Sequence, residues 1–95
     1  MTEENYEPID NQTENRFEIK LKEGLALIDY RVSENIISLY HAEVPKIFEG
    51  RGIGSKLARF ALEKSRENGY RVKPACPFVA DFIRKNQEFS DLVSE

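Results

Sequence analysis

The sequence has very few of the residues that build disulfide frameworks and metal centres. Its 95 residues include one cysteine, one histidine and no tryptophan. A lone Cys76 cannot form an internal disulfide, and with one histidine it cannot supply a zinc cluster, so we expect no metal site. No apolar run approaches about 18 residues, and the N-terminus is neither basic nor apolar, so we expect no membrane span and no signal peptide. These absences predict a cytoplasmic single domain.

Positive charge is absent at the start of the chain and concentrated in its middle. Residues 1–15 contain five acidic residues and no Lys or Arg, whereas residues 46–73 contain eight basic and three acidic residues. The acidic, apolar-poor start predicts a disordered tail over residues 1–15 and one folded domain over residues 16–95. The basic middle indicates either a solvated helix face or a site for an anion. Nucleic acid is not an expected partner, because the net charge of the whole chain is −3.

Hydrophobic periodicity divides the predicted domain into four strands and two helices. The first three strands are expected to form an antiparallel meander, because their connections are too short for crossovers. The fourth strand follows a helix and is expected to lie parallel to the third. The predicted fold is therefore a mixed α+β layer with the order β-β-β-α-β-α. The predicted strands span residues 16–21, 25–32, 36–44 and 70–73, and the helices span residues 53–68 and about 78–86.

Three glycines at alternate positions separate the third strand from the first helix. Gly50, Gly52 and Gly54 lack Cβ atoms, so the backbone can curl with successive N–H groups pointing into one concavity. The helix N-terminus that follows has free donors and a dipole that favour an anion such as pyrophosphate. Neither a Walker loop nor a dinucleotide fingerprint fits, because a required glycine would fall on Ser55 or Leu57. A plain flexible turn is the other interpretation.

The glycine segment also resembles a known cofactor motif. A strand, the residues 49–54 (EGRGIG) and an amphipathic helix resemble the acetyl-CoA motif of the GNAT acetyltransferase superfamily, written (Q/R)-x-x-G-x-(G/A). Gly52 and Gly54 match its last positions. Glu49 stands where the motif usually has Gln or Arg, although Arg51 supplies a cation two residues later.

Two further segments strengthen this resemblance. Residues 41–45 (HAEVP) and 76–86 (CPFVADFIRKN) resemble the HxxVP and CPFVxxFIRKN segments of a minimal, NATD1-like or YjdJ-like GNAT subgroup. The resemblance covers residues 16–93 and implies a compact GNAT fold that uses acetyl-CoA. It implies transfer of the acetyl group to an amine. The second hypothesis is a module that binds CoA or acyl-CoA and has little transferase activity. The third is a phosphate-binding adaptor that does not use CoA.

The resemblance implies that coenzyme A lies between the third and fourth strands. The pantetheine arm would pair with the third strand, and the pyrophosphate would bind the backbone amides of the glycine segment. The basic middle of the chain would then help to hold the phosphates. The implied cofactor-binding residues are Ala42, Val44, Gly50, Arg51, Gly52, Ile53, Gly54, Ser55, Lys56 and Asn86.

Three side chains are candidates for the chemistry of acetyl transfer, which needs a group to take the proton from the attacking nitrogen. His41 and Glu43 alternate onto one face of the third strand, about 7 Å apart, and either could be this base. The alternative interpretation is that neither is catalytic: His41 would be a half-buried strand residue and Glu43 a solvated acid at the strand end. Cys76 precedes Pro77, a favourable first helical residue, so its thiol faces a helix N-terminus. It could accept the acetyl group, act as acid or base toward the CoA thiol, or only fill the core.

The predicted domain is smaller than an ordinary GNAT domain. A tight turn joins its first two strands, which leaves no room for the two N-terminal helices that usually shape the family's acceptor pocket. The resemblance therefore implies an open acceptor site, suited to an amine of a protein or peptide rather than to an enclosed small molecule.

Overall fold

Five strands and two helices form most of the structure, a computed structural model that describes residues 6–94. The strands are β1 (Pro8–Asn11), β2 (Arg16–Leu21), β3 (Gly24–Ser33), β4 (Ile36–Glu43) and β5 (Arg71–Pro74). The helices are α1 (Ile53–Glu67) and α2 (Pro77–Lys85), with short 3-10 segments at Lys46–Phe48 and Gln87–Leu92.

The strands form one sheet in which sequence neighbours are also spatial neighbours. The pairings from β1 to β4 are antiparallel, and β5 joins β4 in parallel after the α1 crossover. This order confirms the predicted mixed α+β fold. The predicted strands and helices agree with the observed bounds to within two residues.

The strand β1 was not expected, and here the prediction of a disordered tail is wrong. Pro8–Asn11 pair antiparallel with β2, so that Pro8 lies opposite Ile19. The Tyr30 hydroxyl donates a 2.7 Å hydrogen bond to the Asp10 carboxylate, which fixes the strand to β3. Burial and this hydrogen bond raise the pKa of Tyr30, so its hydroxyl stays protonated and remains a donor. Residues 1–5 of the predicted tail, like residue 95, lie outside the described part of the chain.

A buried carboxylate also holds β1 to the sheet. Glu18 of β2 is only 2% exposed. It accepts hydrogen bonds from Arg16 Nε at 2.8 Å and from Asn11 Nδ2 at 3.2 Å. The strand β1 is therefore held by polar partners, which a search for apolar residues does not detect.

Both helices pack on the same face of the sheet and share one hydrophobic core with it. Alternate residues of β2, β3 and β4 point into this core, as the period of two predicted. Each fully buried large apolar side chain contributes about 1.5–3 kcal/mol to folding. None of the helices within residues 6–94 is long and apolar enough to cross a bilayer. The fully buried residues include Phe17, Ile19, Ile28, Ile37, Leu39, Leu57, Leu62 and Val79.

Candidate functional site

The strands β4 and β5 separate halfway along β4. They pair only through Ile36–Leu39 and Arg71–Pro74, and the Cys76 N–H then donates a 2.9 Å hydrogen bond to the Leu39 carbonyl. After Cys76 the chain turns into α2, whereas β4 continues to Glu43. Within residues 6–94, the second half of β4 therefore has a strand beside it only on the β3 side. Its other edge is available to a ligand that pairs with backbone groups.

A β-bulge in β4 lies at the same point. Tyr30 is opposite Leu39, but the preceding residue Asp29 is opposite His41, so Tyr40 is an extra residue in β4. A bulge bends the strand that carries it and changes the direction of its side chains. The bulge therefore explains both the separation from β5 and the exposed position of His41.

A pocket of about 510 Å³ opens where β4 ends and α1 begins. Gly50 and Gly52 have φ values of 84° and 77°, which favour glycine. The first helical hydrogen bond of α1 runs from the Lys56 N–H to the Gly52 carbonyl, so the three preceding amides have no acceptor within the helix. Such a helix start suits an anion. The pocket is lined by Ala42, Val44, Phe48, Glu49, Gly50, Gly52, Ile53, Gly54, Ser55 and Phe78.

Gly54 is required for a different reason from the one expected. It lies inside α1 rather than in the curled segment, and it is not among the positive-φ glycines. A Cβ at this position would lie 2.8 Å from Phe78 Cζ and 3.4 Å from Val44 Cγ2. Gly54 therefore lets Phe78 of α2 approach the start of α1, and the expectation that it curls the backbone is wrong.

A second pocket of about 570 Å³ lies between α1 and α2. It shares Gly52, Ser55 and Phe78 with the first pocket, so the two form one continuous groove. Hereafter this is called the groove. Its second half is lined by the cations Lys56, Arg59 and Lys85 and by one acid, Asp81, which pairs with Lys85 at 3.1 Å. Lys56 is therefore the cation best placed for a phosphate.

Asn86 lies in the second half of the groove and also ends α2. Its Nδ2 donates to the Phe82 carbonyl at 2.9 Å, and its Oδ1 accepts from Arg59 at 3.2 Å. Arg59 in turn is paired with Glu88 at 2.9 Å. Asn86 therefore both caps a helix and lines the groove.

Arg51 is the predicted cofactor residue that the structure does not bring to the groove. Its guanidinium carbon lies over the Phe48 ring, 5.4 Å from the centroid. It lines a neighbouring pocket together with Tyr6 and Lys22, on the other side of Phe48. The remaining predicted cofactor residues all line the groove.

His41 and Glu43 are directly hydrogen-bonded on the outer face of the sheet. His41 Nε2 lies 2.6 Å from Glu43 Oε2, and the two side chains are 49% and 62% exposed. The hydrogen bond to Glu43, together with the negative charges of Glu43 and Asp29, holds the pKa of His41 above its ordinary value. The pair is therefore an accessible proton acceptor with its own carboxylate partner.

Cys76 lies at the closed end of the gap between β4 and β5. It is the N-cap residue of α2, Pro77 follows at the first helical position, and the free thiol is only 6% exposed. Its position at a helix start is as predicted. Within residues 6–94, no group of three or more His, Cys, Asp or Glu side chains could hold a metal ion.

Several residues that line the groove were not among the predicted cofactor residues, and Phe48, Phe78 and Arg59 are three of them. Phe48 is buried at its wall, Phe78 stands 40% exposed where its two halves meet, and Arg59 lines its second half. The sequence does contain an indication for Phe78, because this residue is the third of the CPFV segment and precedes an apolar stripe of the helix. For Phe48, the sequence shows only an apolar residue in a loop.

Comparisons with known proteins identify the family of this fold. The family model described as GCN5-related N-acetyltransferase matches residues 16–92. Protein NATD1 of Bos taurus is 35% identical over 63 residues, and Protein NATD1 of Homo sapiens is 32% identical over 63 residues. Each match covers 66% of this chain and 55% of the relative. The chain thus spans about half the length of these curated relatives.

A solved structure shares the fold over most of its length. The NMR solution structure of a "GCN5-like putative N-acetyltransferase" from Staphylococcus aureus superposes with a TM-score of 0.74 at 32% identity. The superposition covers 95% of this chain and 89% of that chain. The similarity of fold therefore extends over nearly the whole of this chain.

Proposed function

Because the chain belongs to the GCN5-related N-acetyltransferase family, we propose that it transfers an acetyl group from acetyl-CoA to an amine of a protein or peptide. The groove is the observation that carries this proposal. It begins at the free edge of β4, passes the start of α1 and ends among the cations between α1 and α2.

The residues of the groove fit the parts of coenzyme A in order. The free edge of β4 near Ala42 and Val44 suits the amides of the pantetheine arm, because extended backbone pairs with extended chains. The amides at the start of α1 suit the pyrophosphate. Lys56 suits the 3′-phosphate, and Lys85 would have to leave its partner Asp81 to contribute. A Cβ at Gly54 would force Phe78 to shift in the middle of this path, so the close approach that glycine permits there supports the assignment.

The chemistry follows from three side chains around the gap. Acetyl-CoA would supply an acetyl group that is activated as a thioester. We assign His41 as the base that takes the proton from the acceptor nitrogen, and Glu43 as the carboxylate that orients the ring and stabilises its charge. Cys76 is assigned as a proton donor on the sulfur side. Its 6% exposure favours this role over that of a covalent acetyl carrier.

An open acceptor site supports a protein or peptide amine as the substrate. The turn between β2 and β3 contains only Lys22 and Glu23, so no helical segment lies between these strands. His41 and Glu43 are exposed on the sheet face opposite the helices, where a large partner can reach them. The proposed acceptor of the acetyl group is therefore an amine on a flexible segment of another protein or a peptide.

The proposal is tested by incubating the chain with labelled acetyl-CoA and a mixture of peptides. We expect label on peptide amines, with rates that fall strongly in His41→Ala, because the base is lost. Binding of acetyl-CoA without transfer would instead support the alternative of a CoA-binding module. A chain that neither binds acetyl-CoA nor transfers its acetyl group would refute the proposal.

Two variants test the role of Cys76 in the same assay. Cys76→Ser keeps a hydrogen-bond donor that can stabilise the departing thiolate but is a much weaker acid than a thiol, so turnover is expected to fall in part, whereas Cys76→Ala is expected to lose it. Full activity of Cys76→Ala, in a protein that binds acetyl-CoA normally, would leave the thiol a packing role only.

A further inference from the structure

The Phe48 ring belongs to the groove and also contacts the N-terminal part of the chain. It is 5% exposed, lies in the 3-10 segment between β4 and the glycine segment, and lines the first half of the groove. The Tyr6 ring meets it edge-on, with centroids 6.4 Å apart and planes at 78°. This is an attractive aromatic geometry. Phe48 also lines the neighbouring pocket that contains Tyr6, so it is a wall between the two.

The backbone around Phe48 forms a short and inherently weak element. The 3-10 segment contains three residues, and its turn hydrogen bonds run from the Phe48 N–H to Pro45 and from the Glu49 N–H to Lys46. So short a turn does not hold a large ring in one orientation by itself. The position of the Phe48 ring must therefore depend on side chains packed against it, such as Tyr6 and Arg51.

Tyr6 is attached to a firmly held strand. It precedes β1 by two residues, and β1 is fixed by its pairing with β2 and by the hydrogen bond between Asp10 and Tyr30. Tyr6 also packs against the hydrophobic core. The contact between Tyr6 and Phe48 therefore connects the order of β1 to the shape of the groove.

We propose that Tyr6 is a positioning residue for the coenzyme A site, where its ring holds Phe48 as the wall of the groove. This inference rests on the proposed function and assigns the N-terminal segment a part in cofactor binding. Coupling between two events is reciprocal. Cofactor binding must therefore also protect the backbone N–H groups of Ile9, Asp10 and Asn11 in β1 from hydrogen exchange.

The experiment compares Tyr6→Ala and Tyr6→Phe with the unaltered chain, using acetyl-CoA as the ligand in a calorimetric titration. Tyr6→Ala is expected to weaken binding roughly threefold to tenfold, because the ring contact is lost. Tyr6→Phe keeps the ring and is expected to restore binding to within about twofold. In the transfer assay, the KM for acetyl-CoA should rise in Tyr6→Ala while kcat stays within about twofold.

Tyr70→Ala is the matched control. Tyr70 is also a partly buried aromatic residue packed against the core, but it lies just before β5, away from the groove. Its removal should lower the Tm and leave the dissociation constant for acetyl-CoA unchanged. Equal binding by Tyr6→Ala and the unaltered chain would overturn the inference, and so would equal weakening by Tyr6→Ala and Tyr70→Ala. Failure of the unaltered chain to bind acetyl-CoA would overturn the proposed function as well.

Discussion

Phe78 Cζ lies 2.8 Å from the position that a Cβ would occupy at Gly54, so the start of α2 and the start of α1 meet more closely than any other residue at position 54 would allow. The contact lies where the two halves of the groove join. Because Phe78 is 40% exposed, its ring can move when it is pushed, and it would then move within the groove rather than in the core.

Gly54→Ala should therefore weaken acetyl-CoA binding about tenfold or more, because the displaced Phe78 ring obstructs the groove. Stability should change little, because alanine is favoured over glycine in a helix by up to about 1 kcal/mol. Calorimetric binding and thermal unfolding measure the two effects separately.

Gly52→Ala is the contrasting variant. Its Cβ would meet nothing within 4 Å, but the φ of 77° is unfavourable for alanine. We expect a loss of about 1–2 kcal/mol in the free energy of unfolding.

Unchanged acetyl-CoA affinity in a folded Gly54→Ala protein would contradict this account of the groove.

The cations of the second half of the groove should make cofactor binding depend on the 3′-phosphate. CoA should bind more tightly than dephospho-CoA, and the difference should shrink as salt rises. Lys56→Ala should reduce CoA affinity roughly threefold to tenfold while affecting dephospho-CoA less. Lys64→Ala is the control, because Lys64 lies on the same helix but is paired with Glu67 outside the groove. If both substitutions reduced CoA affinity equally, the effect would come from the net charge of the protein and not from a contact between Lys56 and the 3′-phosphate.

Truncation of the chain to begin at Asn15 should lower both its stability and its cofactor affinity. The truncation removes β1 and with it the hydrogen bond from the Tyr30 hydroxyl to the Asp10 carboxylate, and a hydrogen bond to a charged group contributes about 1.5–3 kcal/mol. Asp10→Ala should reproduce much of the stability loss. A truncated chain with an unchanged melting temperature would show that β1 contributes nothing to the fold.

Acetyl transfer should rise with pH through the raised pKa of His41. The protonated ring cannot accept a proton, and the hydrogen bond to Glu43 favours the protonated form. Glu43→Gln removes that charge, so the acid limb of the kcat/KM profile should move to lower pH. A limb that stays in place in Glu43→Gln would assign the titration to a group other than His41.

Hydrophobic periodicity was enough to predict the core sheet and both helices, because apolar residues at period two and at helical spacing dominate those segments. The resemblance of residues 41–45, 49–54 and 76–86 located part of the groove, whose lining also includes Phe48, Arg59 and Phe78. The strand β1 was missed because Asp10 and Asn11 stabilise it through the partners Tyr30 and Glu18, which are distant in sequence.

The side-chain details of the groove were less predictable for the same reason. Arg51 has the right charge and position in the sequence, but its stacking on Phe48 depends on the path of the 3-10 segment. The need for glycine at position 54 comes from Phe78, which belongs to another helix. Such contacts depend on tertiary packing and leave no local pattern.

Titration of the unaltered chain with acetyl-CoA, followed by backbone amide chemical shifts, tests the central claim most directly. The groove account predicts that the largest shifts cluster at residues 40–44, 50–56 and 85–86, with smaller changes at Tyr6 and β1. Titration with adenosine alone should affect mainly the second half of the groove. Absence of shifts at millimolar acetyl-CoA, or shifts concentrated away from the groove, would contradict the account.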